Sequence, residues 1–284
     1  MDNLIVGMKA WADTQERLMP LLKAKKYEPV DFLKDRCIVF TEPRRHVAAE
    51  FVLRNLRNAF PNWTIIIVHG NLNLEFMKCI TSDISGIEFV SCERDDLPRQ
   101  KYNELFTDPT FWGKIPYEWA LITQSDTLIM DLKAPQFLQD LIDKDVKYIG
   151  APWSYQCMVC QNALTECSNH MIDQKVLVSI PQMVGNGGLS FRHVPSLIEA
   201  CTKYCLDNSS PKSQKGTSNE DVFFAKTFHE MGLKIADRLT ALQFSIEQIG
   251  PLEWKDGPLA IGAHKPWAYL SGKLVDAILK RTQI

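Results

Sequence analysis

The feature that most constrains the fold is an alternation of apolar and amphipathic segments between residues 36 and 68. Residues 36–40 form a short apolar run that predicts a β-strand. Residues 52–60 carry apolar side chains at helical spacing and end before Pro61, and residues 63–68 are rich in β-branched side chains. A strand, a helix and a second strand within about 30 residues are typical of a βαβ unit. The sequence therefore predicts an α/β fold with a mostly parallel central sheet flanked by helices.

The composition fits a large folded domain and gives no sign of a strongly charged partner. Of the 284 residues, 45% are apolar and 23% are charged, which is ample for a core. The 32 Lys and Arg nearly balance the 34 Asp and Glu, so we expect no nucleic-acid partner and no anionic membrane partner. No apolar run approaches the ~18 residues of a transmembrane segment, and the first residues lack a secretory pattern.

The eight cysteines fall into two groups. Without an export signal they indicate reduced thiols or metal ligands, and hence a cytoplasmic protein. One group has the ligand types and paired spacings of a structural zinc site, although its middle spacer is short and free thiols are the alternative; it consists of Cys157, Cys160, Cys167 and His170. The other group is expected in the core; it consists of Cys37, Cys79, Cys92, Cys201 and Cys205.

The chain divides into an N-terminal helical extension over residues 1–34 and an α/β domain over residues 35–284. The extension is predicted from apolar residues at roughly helical spacing among charges. Within the α/β domain, the polar, Cys-rich residues at about 154–174 are predicted to be an insertion.

A small polar cluster interrupts the apolar run of residues 119–131. Residues 120–123 predict a buried strand, so Gln124, Ser125 and Asp126 fall where that strand ends. Ligands of open α/β sheets bind at this edge. Because a carboxylate between apolar segments is costly to bury without a partner, Asp126 is predicted either to contact a metal ion or ligand, or to cap its own loop.

Three further segments are candidates for the same edge. Glu220 and Asp221 open an amphipathic helix, where acidic residues suit the helix dipole but Asp221 could also act as a general base on an acceptor hydroxyl. Residues 185–188 predict either a turn or a bare backbone against which a sugar or phosphate lies. His264 could ligate a divalent ion and Lys265 could neutralise a phosphate, unless the two form only a surface turn.

Five motifs in a fixed order give the chain a family resemblance. They are Gln-Ser-Asp-Thr from residue 124, Gly-Ala-Pro-Trp from 150, Gly-Asn-Gly-Gly-Leu-Ser from 185, Glu-Asp-Val-Phe from 220 and His-Lys from 264. Over about residues 36–267 the chain resembles the glycosyltransferase-like family called domain of unknown function 5672. More distantly, it is similar to nucleotide-sugar transferases of the GT-A fold, including glycogenin-like enzymes. Neither a Walker A loop nor the glycine fingerprint of dinucleotide-binding folds is present.

This resemblance implies a single GT-A-like (Rossmann-like) domain that transfers a sugar from a nucleotide-diphosphate donor to a glycan or other hydroxyl acceptor. It implies that Asp126 and His264 bind a divalent metal, manganese or magnesium, and that Gln124, Ser125 and Lys265 contact the diphosphate. Gln124 stands where such enzymes carry a first aspartate. A neutral amide is a poorer ligand for a hard cation than a carboxylate, so metal dependence is expected to be weaker.

The resemblance also implies where the nucleotide, sugar and acceptor lie. The loop after the first strand would hold the nucleotide through Thr41, Glu42 and Arg45. The sugar or acceptor would contact Trp153, Gly185, Asn186, Gly187 and Gly188. Asp221, with Glu220 beside it, would be the base; direct attack would invert the anomeric carbon, whereas glycogenin-like enzymes retain its configuration. The alternatives are a non-catalytic nucleotide-sugar or glycan-binding module and a zinc-stabilised interaction protein.

Overall fold

A computed structural model describes residues 2–27, 30–153, 184–205, 219–247 and 260–284. The strands are β1 Arg36–Thr41, β2 Thr64–His69, β3 Ile87–Ser91, β4 Trp119–Thr123, β5 Thr127–Ile129, β6 Tyr148–Gly150, β7 Ser190–His193, β8 Ser245–Ile246 and β9 Gly262–His264. The helices are α1 Asp2–Ala24, α2 Ala49–Ala59, α3 Leu74–Ile80, α4 Arg99–Phe106, α5 Pro109–Trp112, α6 Ala134–Asp143, α7 Val194–Ala200, α8 Glu220–Glu230, α9 Arg238–Phe244 and α10 Gly272–Leu279.

Strands β3, β2, β1, β4, β7 and β6 form the central sheet, in that order. The first four are mutually parallel, whereas β7 runs antiparallel to both of its neighbours. Every residue of β1, β2 and β4 is buried, because helices and loops cover both faces of the sheet. The predicted α/β fold with a mostly parallel, helix-flanked sheet is confirmed. The reversal at β7 was not predicted.

A second, smaller sheet has the order β5, β9, β8. In the antiparallel pair of β5 and β9, Thr127 lies opposite His264. In the parallel pair of β8 and β9, Ile246 lies opposite Ala263. Asn55 of α2 connects this sheet to the rest of the fold: its Nδ2 donates to the carbonyl of Ile129 at 2.9 Å, and the amide of Ile129 donates to its Oδ1 at 2.8 Å.

Helix α1 lies against α10 and the short turn Pro266–Ala268. The rings of Trp11 and Trp267 are 4.9 Å apart between centroids, and Arg17 Nη2 donates to the carbonyl of Leu279 at 3.3 Å. The N-terminal helix is therefore anchored beside the last helix of the chain. None of the helices in the described part of the chain combines the length and the apolar character that a membrane crossing requires.

Three of the cysteines assigned to the core are buried, namely Cys37, Cys92 and Cys201. The same prediction is wrong for Cys79, which is exposed because α3 buries only Met77. The remaining predictions about this group of residues lie outside the described side chains. They concern Cys205, the insertion at 154–174 and the possible zinc ligands Cys157, Cys160, Cys167 and His170.

Candidate functional site

A tight turn follows β4 at the carboxyl edge of the central sheet. The amide of Gln124 donates to Thr127 Oγ1 at 3.1 Å, and the amide of Thr127 donates to the carbonyl of Gln124 at 3.1 Å. Thr127 Oγ1 in turn donates to the carbonyl of Gly188 at 3.0 Å. Thr127 thus closes the turn and links it to the glycine loop, residues 185–188. The turn is therefore capped by Thr127, and not by Asp126 as one alternative predicted.

The carboxylate of Asp126 is directed at His264. Its Oδ1 lies 3.2 Å from His264 Nε2. Within the described residues neither of these two atoms has a hydrogen-bond partner, although both are shielded from solvent. On the other side of the ring, His264 Nδ1 lies 3.0 Å from Oε2 of Glu247, which is 4% exposed. His264 therefore sits between two carboxylates and presents Nε2 to only one of them.

The small sheet sets up this arrangement. Because Thr127 is paired with His264, the residue before it, Asp126, comes beside the end of β9, where the amide of Lys265 donates to its carbonyl at 3.0 Å. Because Ile246 is paired with Ala263, the next residue, Glu247, comes beside His264. Three separate parts of the chain thus converge at one end of the small sheet.

The charges in this cluster stabilise one another. Burial lowers the pKa of His264, but Glu247 and Asp126 outweigh burial and raise the pKa to about 10. Burial raises the pKa of Asp126, but His264 and Lys265 outweigh it, so the pKa ends below its usual value. Without a further ligand the imidazole is therefore protonated at neutral pH. A cation arriving between Asp126 and His264 would take the place of the proton on Nε2.

Asp126 and His264 fit a divalent cation. Two neighbouring ligands of an octahedral ion, each about 2.1 Å from the metal, lie about 3 Å apart, close to the 3.2 Å between Oδ1 and Nε2. Without a metal ion the two groups form an ion pair, and neither atom has a hydrogen-bond partner in the described ranges, so a cation that displaces the proton of Nε2 could bind both. Over the described ranges no three His, Cys, Asp or Glu side chains are placed to hold one metal ion. Oxygen ligands from outside the described side chains, such as water, would have to complete the coordination.

A second charged cluster lies at the start of α8. Glu220 accepts hydrogen bonds from Arg192 Nη2 at 3.0 and 3.2 Å, and both side chains are buried. The amide of Glu220 donates to Oδ1 of Asn103 at 3.2 Å, while the side chain of Asn219 makes no capping hydrogen bond. Asp221 is 8% exposed, and burial followed by the charge of Glu220 raises its pKa to about 7. A carboxyl group with that pKa can accept a proton near neutral pH.

The glycine loop at residues 185–188 joins the two clusters. A Cβ on Gly187 would lie 1.8 Å from Oε1 of Glu220, and a Cβ on Gly188 would lie 2.0 Å from Nε2 of His264. Asn186, which directly precedes Gly187, adopts a left-handed conformation with φ 61°. At both glycines the space left by the missing side chain is filled by a charged group of the site. The loop therefore needs glycine because protein side chains approach its backbone closely.

Trp153 is buried against the same loop. Its ring lies against Gly185, where a Cβ would come 1.8 Å from Cζ2, and its carbonyl accepts a hydrogen bond from Arg238 Nη1 at 2.6 Å. Trp153 is 2% exposed. Its visible role is thus to support the glycine loop, and a contact with sugar or acceptor stays a prediction.

The loop after β1 reaches the turn of Asp126 through Glu42. Ser125 Oγ donates to Glu42 Oε2 at 2.7 Å, and Arg44 Nε donates to Glu42 Oε1 at 2.8 Å. Glu42 foremost, then Asp96 and to the smallest extent Asp126 raise the pKa of Arg44, against the effect of burial. The guanidinium of Arg45 lies 3.3 Å from the carbonyl of Leu72.

Thr41 is buried at the end of β1, and within the described residues its Oγ1 has no hydrogen-bond partner. The structure thus brings Glu42 to Ser125 and places Arg44 rather than Arg45 beside them.

The sequence reasoning missed Arg44, Thr127, Arg192 and Glu247. Arg192 did carry a signal, because a charged residue inside an apolar strand needs a buried partner. Glu247 carried none, since its place depends on the pairing of the two short strands β8 and β9.

Comparison with known proteins gives one match at the level of sequence. The profile of a family described as "Protein of unknown function (DUF5672)" matches residues 87–264. A comparison with curated proteins finds no match.

Similar solved structures are distant. They include bifunctional IspDF from Campylobacter jejuni (12% identity, 72% of this chain and 49% of that chain, TM-score 0.42). Two others are core-mannan synthase A from Aspergillus fumigatus in an Mn/GDP form (9%, 75% and 74%, 0.42) and mannosyltransferase PcManGT from Pyrobaculum calidifontis with GDP-Man and Mn²⁺ (11%, 83% and 66%, 0.45). The chain spans about half the length of the first of these. Similarity of this degree says nothing about the activity of this chain.

The sequence match carries more weight, because it covers the turn of Asp126, the glycine loop, the start of α8 and His264. Since residues 87–264 make up more than half of the chain, the protein belongs to the DUF5672 family.

Proposed function

We propose that the protein transfers a glycosyl group from a nucleoside diphosphate sugar to a hydroxyl group of an acceptor. The observation that carries this proposal is the shielded pair of Asp126 Oδ1 and His264 Nε2, which face each other at 3.2 Å at the carboxyl edge of the sheet. The glycine loop contacts His264 and Glu220, and Glu220 precedes Asp221, a buried carboxyl group whose pKa of about 7 suits a base. A cation site and a base are the two parts that such a transfer needs.

At the donor end, Asp126 and His264 would hold manganese or magnesium. The metal ion would neutralise negative charge on the departing diphosphate. Lys265 is exposed, and its amide is fixed on the carbonyl of Asp126 at 3.0 Å, so its side chain is available to a phosphate oxygen. Arg44 could also contact a phosphate oxygen, although its guanidinium already pairs with Glu42, which neutralises much of its charge. These groups stabilise the leaving group without the need to rearrange during reaction.

At the acceptor end, Asp221 would take the proton of the acceptor hydroxyl while its oxygen attacks the anomeric carbon. The bond from that carbon to the diphosphate oxygen breaks, and the electron pair leaves with the nucleoside diphosphate. A single displacement of this kind inverts the anomeric configuration. The proton NMR coupling of the new anomeric centre distinguishes an inverted from a retained product.

Thermal unfolding with a panel of nucleoside diphosphates and nucleotide sugars, each with and without manganese, tests the donor site. A ligand that binds the native state alone raises the unfolding temperature. We expect one nucleotide to raise it, manganese to enlarge the shift, and Asp126→Ala to abolish the enlargement. Asp13→Ala, which removes an exposed carboxylate on α1, is the matched control and should behave as wild type. If no nucleotide raises the unfolding temperature, the assignment of the donor site is wrong.

A non-catalytic nucleotide-sugar or glycan-binding module is the second candidate. Two observations favour it: Gln124 offers an amide in place of a carboxylate, and Asp221 is almost wholly buried. This candidate predicts nucleotide binding without transfer to any acceptor and without slow hydrolysis of the donor. Release of nucleoside diphosphate from the nucleotide sugar that binds best separates the two candidates.

A further inference from the structure

Glu247 is a buried carboxylate that the proposed reaction does not yet use. It follows β8 directly and is 4% exposed. A carboxylate at such a position is costly unless it is paired. Its partner is the imidazole of His264, whose Nδ1 lies 3.0 Å from Glu247 Oε2.

We propose that Glu247 is a positioning residue of the metal site, and that it supplies through His264 the negative charge which Gln124 lacks. This inference rests on the proposed function, since it assigns the charge balance of the donor site. It concerns a residue that would touch neither the metal ion nor the substrate.

The hydrogen bond fixes the direction of the imidazole. With Nδ1 engaged by Glu247, Nε2 is the ring nitrogen that faces Asp126 Oδ1. Gly188 lies against the same ring, and a Cβ there would come 2.0 Å from Nε2, so the ring is held on a second side. A carboxylate on the outer nitrogen of a ligating histidine fixes its tautomer and strengthens it as a donor to metal.

Charge balance gives Glu247 its second role. Asp126 brings one negative charge toward a divalent cation, and the amide of Gln124 brings none. Glu247 brings the second, one imidazole away from the cation position. Because Glu247 and His264 are both buried, water screens that charge little. The chain would thus restore the charge of a two-carboxylate site from a different strand.

Manganese affinity of the 284-residue chain measures the effect without any need for activity. Free Mn²⁺ is followed by electron paramagnetic resonance, with manganese alone and with UDP or GDP present. Loss of such an outer carboxylate typically weakens metal binding 10- to 100-fold, and we expect at least about tenfold for Glu247→Gln.

The matched control is Glu118→Gln. It removes a carboxylate that lies 3.4 Å from Nε2 of His193, away from the donor site, and it should leave manganese affinity unchanged. If Glu247→Gln does not fold, Glu247→Asp keeps the charge but shortens the side chain, and it should weaken manganese binding by a smaller factor.

Rescue separates a charge effect from a purely structural one. Gln124→Asp, introduced into the Glu247→Gln chain, should recover most of the lost manganese affinity, because it returns a carboxylate to the turn of Asp126. A structural defect at residue 247 would not respond to that change. Manganese affinity within twofold of wild type in Glu247→Gln, or no recovery in the double variant, would overturn the inference.

The same titrations distinguish failure of the inference about Glu247 from failure of the proposed function. A wild-type chain that binds UDP or GDP but no manganese overturns the role of Glu247 and leaves sugar transfer standing. A wild-type chain that binds no nucleotide in the full panel overturns the proposed function as well.

Discussion

His264 Nε2 and Asp126 Oδ1 lie 3.2 Å apart, and neither has a hydrogen-bond partner in the described part of the chain. Strand pairing brings them together, since His264 lies opposite the residue that follows Asp126. In the protein alone the two groups form a shielded ion pair. A bound cation would take the place of the proton on Nε2, and the predictions below test the groups that keep the two atoms in place.

Gly188→Ala should weaken both nucleotide-dependent manganese binding and stability. The new Cβ would lie 2.0 Å from His264 Nε2, so the imidazole or the glycine loop must move. Overpacking of this kind costs about 1–3 kcal/mol of unfolding free energy. Urea unfolding and manganese titration measure the two effects.

Gly113→Ala is the control for that substitution. Gly113 has φ −62°, and an added Cβ would meet its nearest atoms at 3.5 and 3.6 Å, which is ordinary contact. This variant should be as stable as wild type or slightly more stable. Equal metal affinity in the two glycine variants would contradict the contact between Gly188 and His264.

Asp221→Asn should lower the transfer rate by about 10²- to 10⁴-fold, the usual contribution of a positioned base. Because the pKa of Asp221 is raised to about 7, kcat/KM of the wild-type protein should rise with pH up to about 7 and then level off. Initial rates from pH 5 to 9 measure this profile. A variant that transfers sugar at the wild-type rate would remove Asp221 from the role of base.

The stability of the protein should also depend on Asp221 and pH. The folded protein favours the protonated carboxyl, whose pKa rises from 3.8 to about 7. This contribution is fully present below about pH 4 and is lost as the pH rises through 7. The amide of Asp221→Asn does not titrate, so the stability of the variant does not fall in this way. Above pH 7 the variant should therefore be more stable than wild type, by an amount on the order of a few kcal/mol.

Urea unfolding at pH 5, 6, 7 and 8 tests this sign. The difference in unfolding free energy between Asp221→Asn and wild type should grow steadily over that series. The pKa of Glu220 is also raised by burial, but Glu220 is present in both proteins and does not affect the difference. A constant difference would show that Asp221 titrates normally.

Arg192→Met should destabilise the fold by about 3–5 kcal/mol, because it leaves the buried carboxylate of Glu220 without its partner. The double variant Arg192→Met with Glu220→Gln should recover part of that loss, and unfolding free energies of the four proteins form a double-mutant cycle. Lys280→Met is the control, since its ion pair with Asp276 at 2.6 Å is exposed and should contribute little. An additive cycle would contradict the coupling of Arg192 to Glu220.

Local sequence patterns predicted the central sheet well, because β1, β2 and β4 are apolar runs, which are typical of strands buried on both faces. Asp126 could be placed at the sheet edge for the same reason. The small sheet could not be predicted, since β8 has two residues and β9 has three, too few for any periodicity. The pairing of these strands determines which residue lies beside His264, so the contact of Glu247 with His264 could not be predicted.

The residues of the glycine loop could be predicted, but their structural role could not. The backbone of this loop meets Glu220 and His264 from other elements, which is the reason for its glycines. Long-range contacts of this kind leave no mark on the local sequence.

The assembly of the small sheet also sets the time at which the chain can work during its own synthesis. β1, β2 and β4 precede β8 and β9 in the chain and leave the ribosome before them. Asp126 emerges with them, but Glu247 and His264 follow only with β8 and β9. A nascent chain that stops before residue 264 therefore lacks the proposed cation site, and capture of a donor there must wait until His264 has left the ribosome.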